Sequence, residues 1–272
     1  MNKNTFKYLI LLTLISLSPL LRAEEVTLWT PHPQVQHDLN LMAQLYRNTS
    51  NKPVFTAKLV FNLKDNVDIH QFSPSSGELK RLITFSPLIA GPTPHQPWLK
   101  LAKSSGLLQL KTTLFLNEFK EENHYWLRPK EALRFEKTMN KFFKAMHLPT
   151  RDDYPWSALI QEEALKIKEI LKAKKIGKIV LAHNALAPLL KESADLVVLF
   201  TDDHHSEVAS SELKKVFQWV QRPEEVLFIF EKSISWPSNL KGGSFDKVRS
   251  VQWAPISSFP LRSLRKALEE NL

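Results

Sequence analysis

The stretch Asp68-Ile69-His70-Gln71-Phe72-Ser73-Pro74 lies between a predicted strand at residues 54–61 and a predicted helix, and it indicates the fold of the whole chain. The helix begins at Ser75, because Ser75 and Glu78 have the spacing of a capping box, in which hydroxyl and carboxylate satisfy the free amides of a first helical turn. His70 is therefore predicted to lie just past an apolar strand, at the entrance of a strand-to-helix turn.

The same alternation of strand and helix recurs along the chain. Strands are predicted at residues 26–29, 54–61, 87–91, 107–116, 178–182, 194–200, 226–230 and 248–253. Helices are predicted at residues 32–46, 75–83, 98–102, 129–146, 156–174, 185–191, 210–220 and 261–268. Four strands on each side of a helical stretch predict an α/β protein of two lobes, each with a roughly four-stranded, mostly parallel sheet flanked by helices.

The predicted domains follow from this pattern. Residues 24–150 form an N-terminal lobe, residues 151–175 contain a long rigid linking helix, and residues 176–272 form a C-terminal lobe. A length of 272 residues with 43% hydrophobic content suits one large or two medium globular domains.

The first 23 residues predict a secretory signal peptide. Lys3 and Lys7 give a basic start, residues 8–21 are mostly apolar, and Leu-Arg-Ala ending at Ala23 is a candidate cleavage site. The apolar stretch is short for a membrane span. We expect export to the periplasm with cleavage after Ala23, and the alternative is an uncleaved N-terminal anchor.

Composition excludes several classes of site. No cysteine is present, so disulfides, thiolate metal ligands, a Cys nucleophile and a lipid-modified Cys are absent from this sequence. Loss of three basic residues with the signal lowers the formal charge from +9 to +6. The remaining cations are spread along helix faces, as in residues 166–175, and are not interleaved with aromatics, so we expect solubility rather than nucleic-acid binding.

Three histidines follow predicted strands. His70 comes after the second strand, His124 after a strand-like run that follows the fourth, and His183 at the end of the first strand of the second half. Ligands of open α/β sheets bind beyond the carboxyl ends of the strands, so all three are predicted at an edge where loops collect. Taken singly, a loop histidine is better explained by a surface or capping role than by metal binding, and the histidines at positions 32, 37, 95, 147, 204 and 205 are interpreted in that way. The acidic run at residues 202–207 is expected to be a solvated loop, with weak cation recruitment left open.

Four motifs, in this order, resemble the zinc- and manganese-specific substrate-binding proteins of ABC importers, which are cluster A of the periplasmic binding proteins. They are Asp68-Ile69-His70-x-Phe-x-Pro, Gly91 followed by Pro97-Trp98-Leu99, His124-x-Trp126-Leu127-x-Pro129, and Ala182-His183-Asn184-Ala185. The corresponding family motifs run approximately Asp-Pro-His, His-Val-Trp-Leu-Asp-Pro and Ser-His-Asp-Ala. The resemblance covers essentially the whole mature chain and identifies it as a divergent member.

The resemblance implies a metal ion held between two lobes and delivered to a membrane permease. By matched position its ligands are His70 and His124 from the first lobe and His183 from the second. Three imidazoles suit Zn²⁺ better than Mn²⁺, which prefers oxygen ligands. Zinc is therefore the expected cargo, with Mn²⁺ or another divalent metal such as copper or nickel as alternatives, and the protein is expected to be a monomer.

The chain departs from the family pattern at the fourth ligand. Family members usually have an Asp-Pro near the end, where this chain has Ala254-Pro255, and alanine cannot bind a metal. Three candidates are left for the fourth ligand. They are Glu231 at the end of the penultimate strand, a carboxylate from the loop near Asp203, and a water molecule. Ile69 and Arg128 also replace the usual Pro and Asp.

Two other functions stay open beside metal transport. A metal-free or weakly binding relative would use the same fold for protein contact, in keeping with Ala254. A periplasmic zinc hydrolase would use three histidines and a water, with Glu231 or Asp68 as general base. The sequence contains no His-Glu-x-x-His or Gly-x-Ser-x-Gly motif, so we expect a binding protein and not an enzyme.

Overall fold

The computed structural model describes residues 25–47, 55–61, 72–82, 84–91, 98–99, 102, 113–116, 124–200, 210–231, 243–254, 257 and 259–272. For Phe115, His183 and Phe200 only the backbone is described. The predicted signal peptide and His70 lie outside these residues. No helix in the described part of the chain combines the length and the apolar character needed to cross a membrane.

The first half of the chain forms a parallel four-stranded sheet. Its strands are β1 (Val26–Thr30), β2 (Phe55–Leu59), β3 (Leu88–Ala90) and β4 (Thr113–Phe115), in the order β2-β1-β3-β4. Its helices are α1 (Pro33–Leu45), between β1 and β2, and α2 (Ser76–Leu82), between β2 and β3.

The second half repeats this arrangement. Strands β5 (Lys178–His183), β6 (Asp195–Phe200), β7 (Val226–Glu231) and β8 (Arg249–Trp253) are all parallel and lie in the order β6-β5-β7-β8. The helices of this half are α5 (Ala187–Leu190), α6 (Ser210–Trp219) and the terminal α7 (Pro260–Asn271). The prediction of two four-stranded parallel sheets flanked by helices is confirmed.

Two helices connect the halves. A 3-10 turn (Tyr125–Leu127) leads into α3 (Pro129–Ala145), and α4 (Pro155–Ala173) follows after a short loop. The 19 residues of α4 extend over about 28 Å at 1.5 Å per residue. Buried side chains of α4, of which Ile160 and Ile167 are examples, belong to one hydrophobic cluster that also contains Leu28 of the first sheet and Leu227 of the second. The linking helix is therefore packed into the core of both halves.

A buried carboxylate holds the first turn of α4. Glu136 of α3 is fully buried, and its Oε1 accepts hydrogen bonds from the Tyr46 hydroxyl at 2.8 Å and from the Trp156 amide at 3.1 Å. Its Oε2 accepts from the Ser157 amide at 2.8 Å. The N-cap residue of α4, Tyr154, provides no side-chain hydrogen bond. Glu136 therefore satisfies the free amides that a helix N-terminus otherwise leaves to water.

A second buried carboxylate joins α7 to the same helix. Glu163 of α4 is 2% exposed, and it accepts hydrogen bonds from Arg265 Nε at 2.6 Å and from Arg262 Nε at 3.3 Å. Because both arginines are on α7, the C-terminal end of the chain is fastened to the linking helix by charge-assisted bonds.

Most element boundaries agree with the sequence patterns, and the capping box is present. The Ser75 amide donates to Glu78 Oε2 at 2.8 Å, and the Glu78 amide donates to Ser75 Oγ at 3.3 Å. The helix predicted at residues 185–191 is instead a 3-10 turn followed by the short α5. Pro188 lies in the first turn of α5, and a proline has no amide proton to continue a helix begun earlier.

The segment that begins at His124 is described, whereas residues 117–123 before it lie outside the described part of the chain. It is a turn that opens onto the 3-10 element, and Arg128 is extended with φ −125° and ψ 112°. Arg128 precedes Pro129, which disfavours the helical conformation at residue 128, so the turn and α3 form two separate elements. The lobe boundaries at residues 150 and 175 stay predictions.

We predict that Glu136→Ala destabilises the protein by about 3 kcal/mol, because two amides and a hydroxyl lose their acceptor in a buried place. The measurement is the free energy of unfolding from urea denaturation. Glu169→Ala is the control, since Glu169 is an exposed residue of α4, and we expect its effect to stay within about 0.5 kcal/mol. Equal effects of the two variants would contradict the capping role.

Candidate metal site

The structure describes the three predicted ligands to different extents. His124 is 7% exposed, and its ring makes an edge contact with Trp126 at a centroid distance of 5.4 Å. His183 is the last residue of β5, so its backbone is at the predicted edge. His70 is outside the described residues, and within them no three His, Asp or Glu side chains form a group able to hold a metal. Convergence of the three histidines stays a prediction.

The carboxyl edge of the second sheet brings two predicted positions level with each other and a third one residue further along. Leu181 of β5 pairs with Ile229 of β7, so residue 183 is level with Glu231, two residues further along each strand. Glu231 in turn pairs with Trp253 of β8, and Ala254 follows directly. Neighbouring strands are about 4.8 Å apart, so the backbone places the predicted ligand and its candidate fourth partner on adjacent strands. Glu231 is 6% exposed.

His32 and His124 contact the same indole ring. The His32 ring is 5.6 Å from Trp126, and the His124 ring is 5.4 Å from it. His32 is fully buried and its Nδ1 accepts a hydrogen bond from the Gln34 amide at 3.1 Å. His32 is thus the N-cap of α1, and of the two roles expected for it from the sequence, surface or capping, the structure shows capping. Trp126 fixes one wall against which His124 packs.

A buried hydrogen-bond chain lies between the two halves beside this turn. Gln34 Nε2 donates to Asp38 Oδ1 at 2.9 Å, and the Tyr125 hydroxyl donates to Asp38 Oδ2 at 2.9 Å. The amide of Ser257, in the loop between β8 and α7, donates to Gln34 Oε1 at 3.1 Å. These four residues, which we call the lobe clasp, connect the C-terminal half to the residue next to His124.

Burial changes the protonation of the lobe clasp. Loss of hydration raises the pKa of Asp38 to about 8, although the hydrogen bonds from Gln34 and Tyr125 act in the opposite direction. Burial, together with the charge and hydrogen bond of Asp38, also raises the pKa of the Tyr125 hydroxyl well above its usual value. Asp38 is therefore mostly a neutral acid at pH 7.

The sequence interpretation assigned no role to Gln34, Asp38 and Tyr125. Gln34 and Asp38 are four residues apart on α1, beside the buried apolar positions Val35 and Leu39. Two polar residues within the buried face of an amphipathic helix are a signal of an internal hydrogen-bond network. Their partners are 87 and 223 residues away in sequence, and no local pattern identifies them.

No protein-family model and no curated protein matches the sequence. Solved structures do match the fold. A deletion mutant of ZnuA with zinc bound has a TM-score of 0.66 at 15% identity, over 91% of this chain and 96% of that one. AdcAII of Streptococcus pneumoniae has a TM-score of 0.65 at 12% identity, over 90% of this chain and 97% of that one. TroA of Treponema pallidum, a periplasmic zinc-binding protein, has a TM-score of 0.61 at 11% identity, over 91% and 99%.

This chain has the cluster A fold. The structural match extends over nine-tenths of the chain, so the family resemblance suggested by the order of the motifs is confirmed for the fold. Identities of 11–15% are those of a divergent sequence on a shared architecture.

We predict that the stability of the wild-type protein, relative to that of an Asp38→Asn variant, falls between pH 4 and pH 8. The pKa of Asp38 is about 8 when folded and 3.8 in the unfolded reference, so the folded state holds one extra proton in this range. The contribution of Asp38 is complete below about pH 4 and is lost as pH rises toward 8, by at most about 1.4 kcal/mol per pH unit. Asp38→Asn, which resembles the neutral acid, should remove this slope in urea denaturation series at several pH values.

Asp152→Asn is the control for that series, because Asp152 is exposed. Its pH dependence should run parallel to that of the wild type. A parallel curve for Asp38→Asn as well would show that Asp38 does not carry a proton at neutral pH.

Proposed function

We propose that this protein captures a divalent metal, most favourably Zn²⁺, between two lobes in the periplasm and delivers it to the membrane permease of an ABC importer. The cluster A fold supports a transport role, and matched solved structures include proteins described as zinc-binding. The single observation that carries the proposal is this fold, which is supported by a buried His124 in the first half and by residue 183 at the end of a strand of the second.

The proposed ligands are His70 and His124 from the first lobe and His183 from the second. Neutral imidazoles favour Zn²⁺ over Mn²⁺. The described geometry fits this set at two points, since His124 is buried against Trp126 in the first half and residue 183 ends a strand of the second. The proposal includes residues 24–150 and 176–272 as the lobes, and a monomer as the working unit.

We propose Glu231 as the fourth ligand, with water as the alternative. The backbone of Glu231 is level with that of residue 183 on the adjacent strand, and its carboxylate is buried. Ala254, next to the paired residue Trp253, offers only a methyl group. A carboxylate oxygen completes a tetrahedral Zn²⁺ site that three imidazoles leave open.

A metal-free relative that uses the fold for protein contact is the second candidate function. Ala254 favours it, because the chain lacks a ligand at that place. The two candidates differ in one measurement. A ligand that binds only the folded state raises the melting temperature, whereas a protein that does not bind zinc melts at the same temperature with and without it.

We predict that the mature protein binds about one Zn²⁺ and that a His70→Ala, His124→Ala, His183→Ala triple variant loses most of it. The measurements are elemental analysis after zinc exposure and removal of free metal, and the melting shift with zinc. His147→Asn is the control, because His147 is exposed after α3 and has φ 55°, which Asn tolerates. Absence of metal in the wild type after zinc exposure contradicts the proposed function.

We predict a smaller effect at the fourth position. Glu231→Gln keeps the size of the side chain and removes its charge, so zinc affinity should fall by about 10- to 100-fold while one zinc is still bound at saturation. Competition with a chromophoric chelator measures this affinity. Unchanged affinity would assign the fourth position to water, and Glu225→Gln on the same half serves as the charge-matched control.

A further inference from the structure

The lobe clasp joins parts of the molecule that are far apart in sequence. Ser257 belongs to the loop after β8, Gln34 and Asp38 to α1, and Tyr125 to the 3-10 turn that follows His124. The join is made by protein groups alone and needs no metal ligand at position 254.

The contacts of the lobe clasp are buried, and this raises the free-energy cost of losing any of them. Gln34 and Tyr125 are fully buried and Asp38 is 2% exposed. A buried polar group that loses its partner costs more than an exposed one, because water does not replace the lost bond. Both functional ends of the Gln34 amide are used, one toward Asp38 and one toward Ser257. The side chain is therefore held in one orientation.

The contacts of the lobe clasp also restrict the backbone next to His124. Tyr125 is stacked on Phe135 at a centroid distance of 4.2 Å, and its hydroxyl is fixed by Asp38. With Tyr125 held at both its ring and its hydroxyl, and Trp126 packed against the His124 ring, the backbone that carries this imidazole has little freedom. Metal affinity depends on such support, because ligands that are already in place lose less conformational entropy on binding.

We propose that Gln34 and Asp38 are positioning residues for metal capture, which hold the β8–α7 loop of the second half against the turn that carries His124. This inference rests on the proposed function for its effect on metal binding. The join itself is independent of that function. It implies that the distance between the two halves at this point is set by the Gln34 amide before any metal arrives.

The test compares two amide side chains on the same helix. Gln34→Leu removes the bonds between the halves. Asn40→Leu is the matched control, since Asn40 Nδ2 donates to the Ala57 carbonyl at 3.2 Å and its Oδ1 accepts from the Ala57 amide at 2.8 Å, both within the first half. Each variant removes two buried or half-buried hydrogen bonds of one amide, but only the first disconnects the halves.

We expect Gln34→Leu to speed hydrogen exchange of the Ser257 amide by about tenfold and to weaken zinc binding by about fivefold, with faster zinc dissociation. In Asn40→Leu, both quantities should stay within about twofold of the wild type, even if its melting temperature falls further. Measurements use the mature full-length protein, with zinc alone as the probe. A merely structural role predicts that zinc affinity follows the melting temperature in both variants.

A second variant keeps the test decisive if Gln34→Leu does not fold. Tyr125→Phe removes one hydroxyl, and we expect it to weaken zinc binding by about threefold while the hydrogen exchange of the Ser257 amide stays unchanged.

The proposal is overturned if zinc affinity is unaltered in both Gln34→Leu and Tyr125→Phe, or if Asn40→Leu weakens zinc binding as much as Gln34→Leu does. If the wild type binds no zinc, the proposed function and the positioning role both fail, whereas unchanged Ser257 exchange in Gln34→Leu refutes the join specifically.

Discussion

The burial of one face of α4 is the constraint on which the rest of the structure depends. Apolar side chains of this helix share the largest cluster with residues of both sheets, and each half has in addition a smaller buried cluster of its own. A helix in that position needs its terminal amides satisfied without water, and Glu136 does this from α3. Glu163, further along the helix, binds the arginines of α7 and so brings the end of the chain to the same support. The mutual placement of the sheets follows from these contacts.

The candidate site uses this placement from two sides. On the second sheet, parallel register puts residue 183, Glu231 and Trp253 in one row. On the first, the turn at His124 is held by aromatic packing and by Asp38. Rigid elements thus carry the groups proposed for metal binding in each half. A raised pKa at Asp38 fits this buried place, because a buried acid that carries no charge costs less than an ionised one.

The order of elements was predictable because strands and helices have distinct local patterns, and the capping box at Ser75 needs only residues that are three apart. The split of the 185–191 helix was not, since it depends on where Pro188 falls within a turn. Only the parts of the site that lie within single motifs were predictable, such as the positions of His124 and His183 near strand ends. The contact between Gln34 and Ser257 joins residues 223 positions apart, and the sequence around neither residue indicates it. Side chains from distant segments are brought together by tertiary packing, and the local periodicity of a sequence does not predict tertiary packing.

The two sheets have the same permuted strand order, β2-β1-β3-β4 and β6-β5-β7-β8. In each sheet, the second strand in sequence lies on one side of the first strand, and the third and fourth strands lie on its other side. The direction of the connections therefore reverses between β1 and β3 in the first sheet and between β5 and β7 in the second. Ligands of open α/β sheets bind at such a topological switch point, beyond the carboxyl ends of the strands. Residue 183 ends β5 and Glu231 ends β7, so they flank the switch point of the second half. The position proposed for the cargo in the second half therefore coincides with a place that strand order alone marks as suited to a ligand.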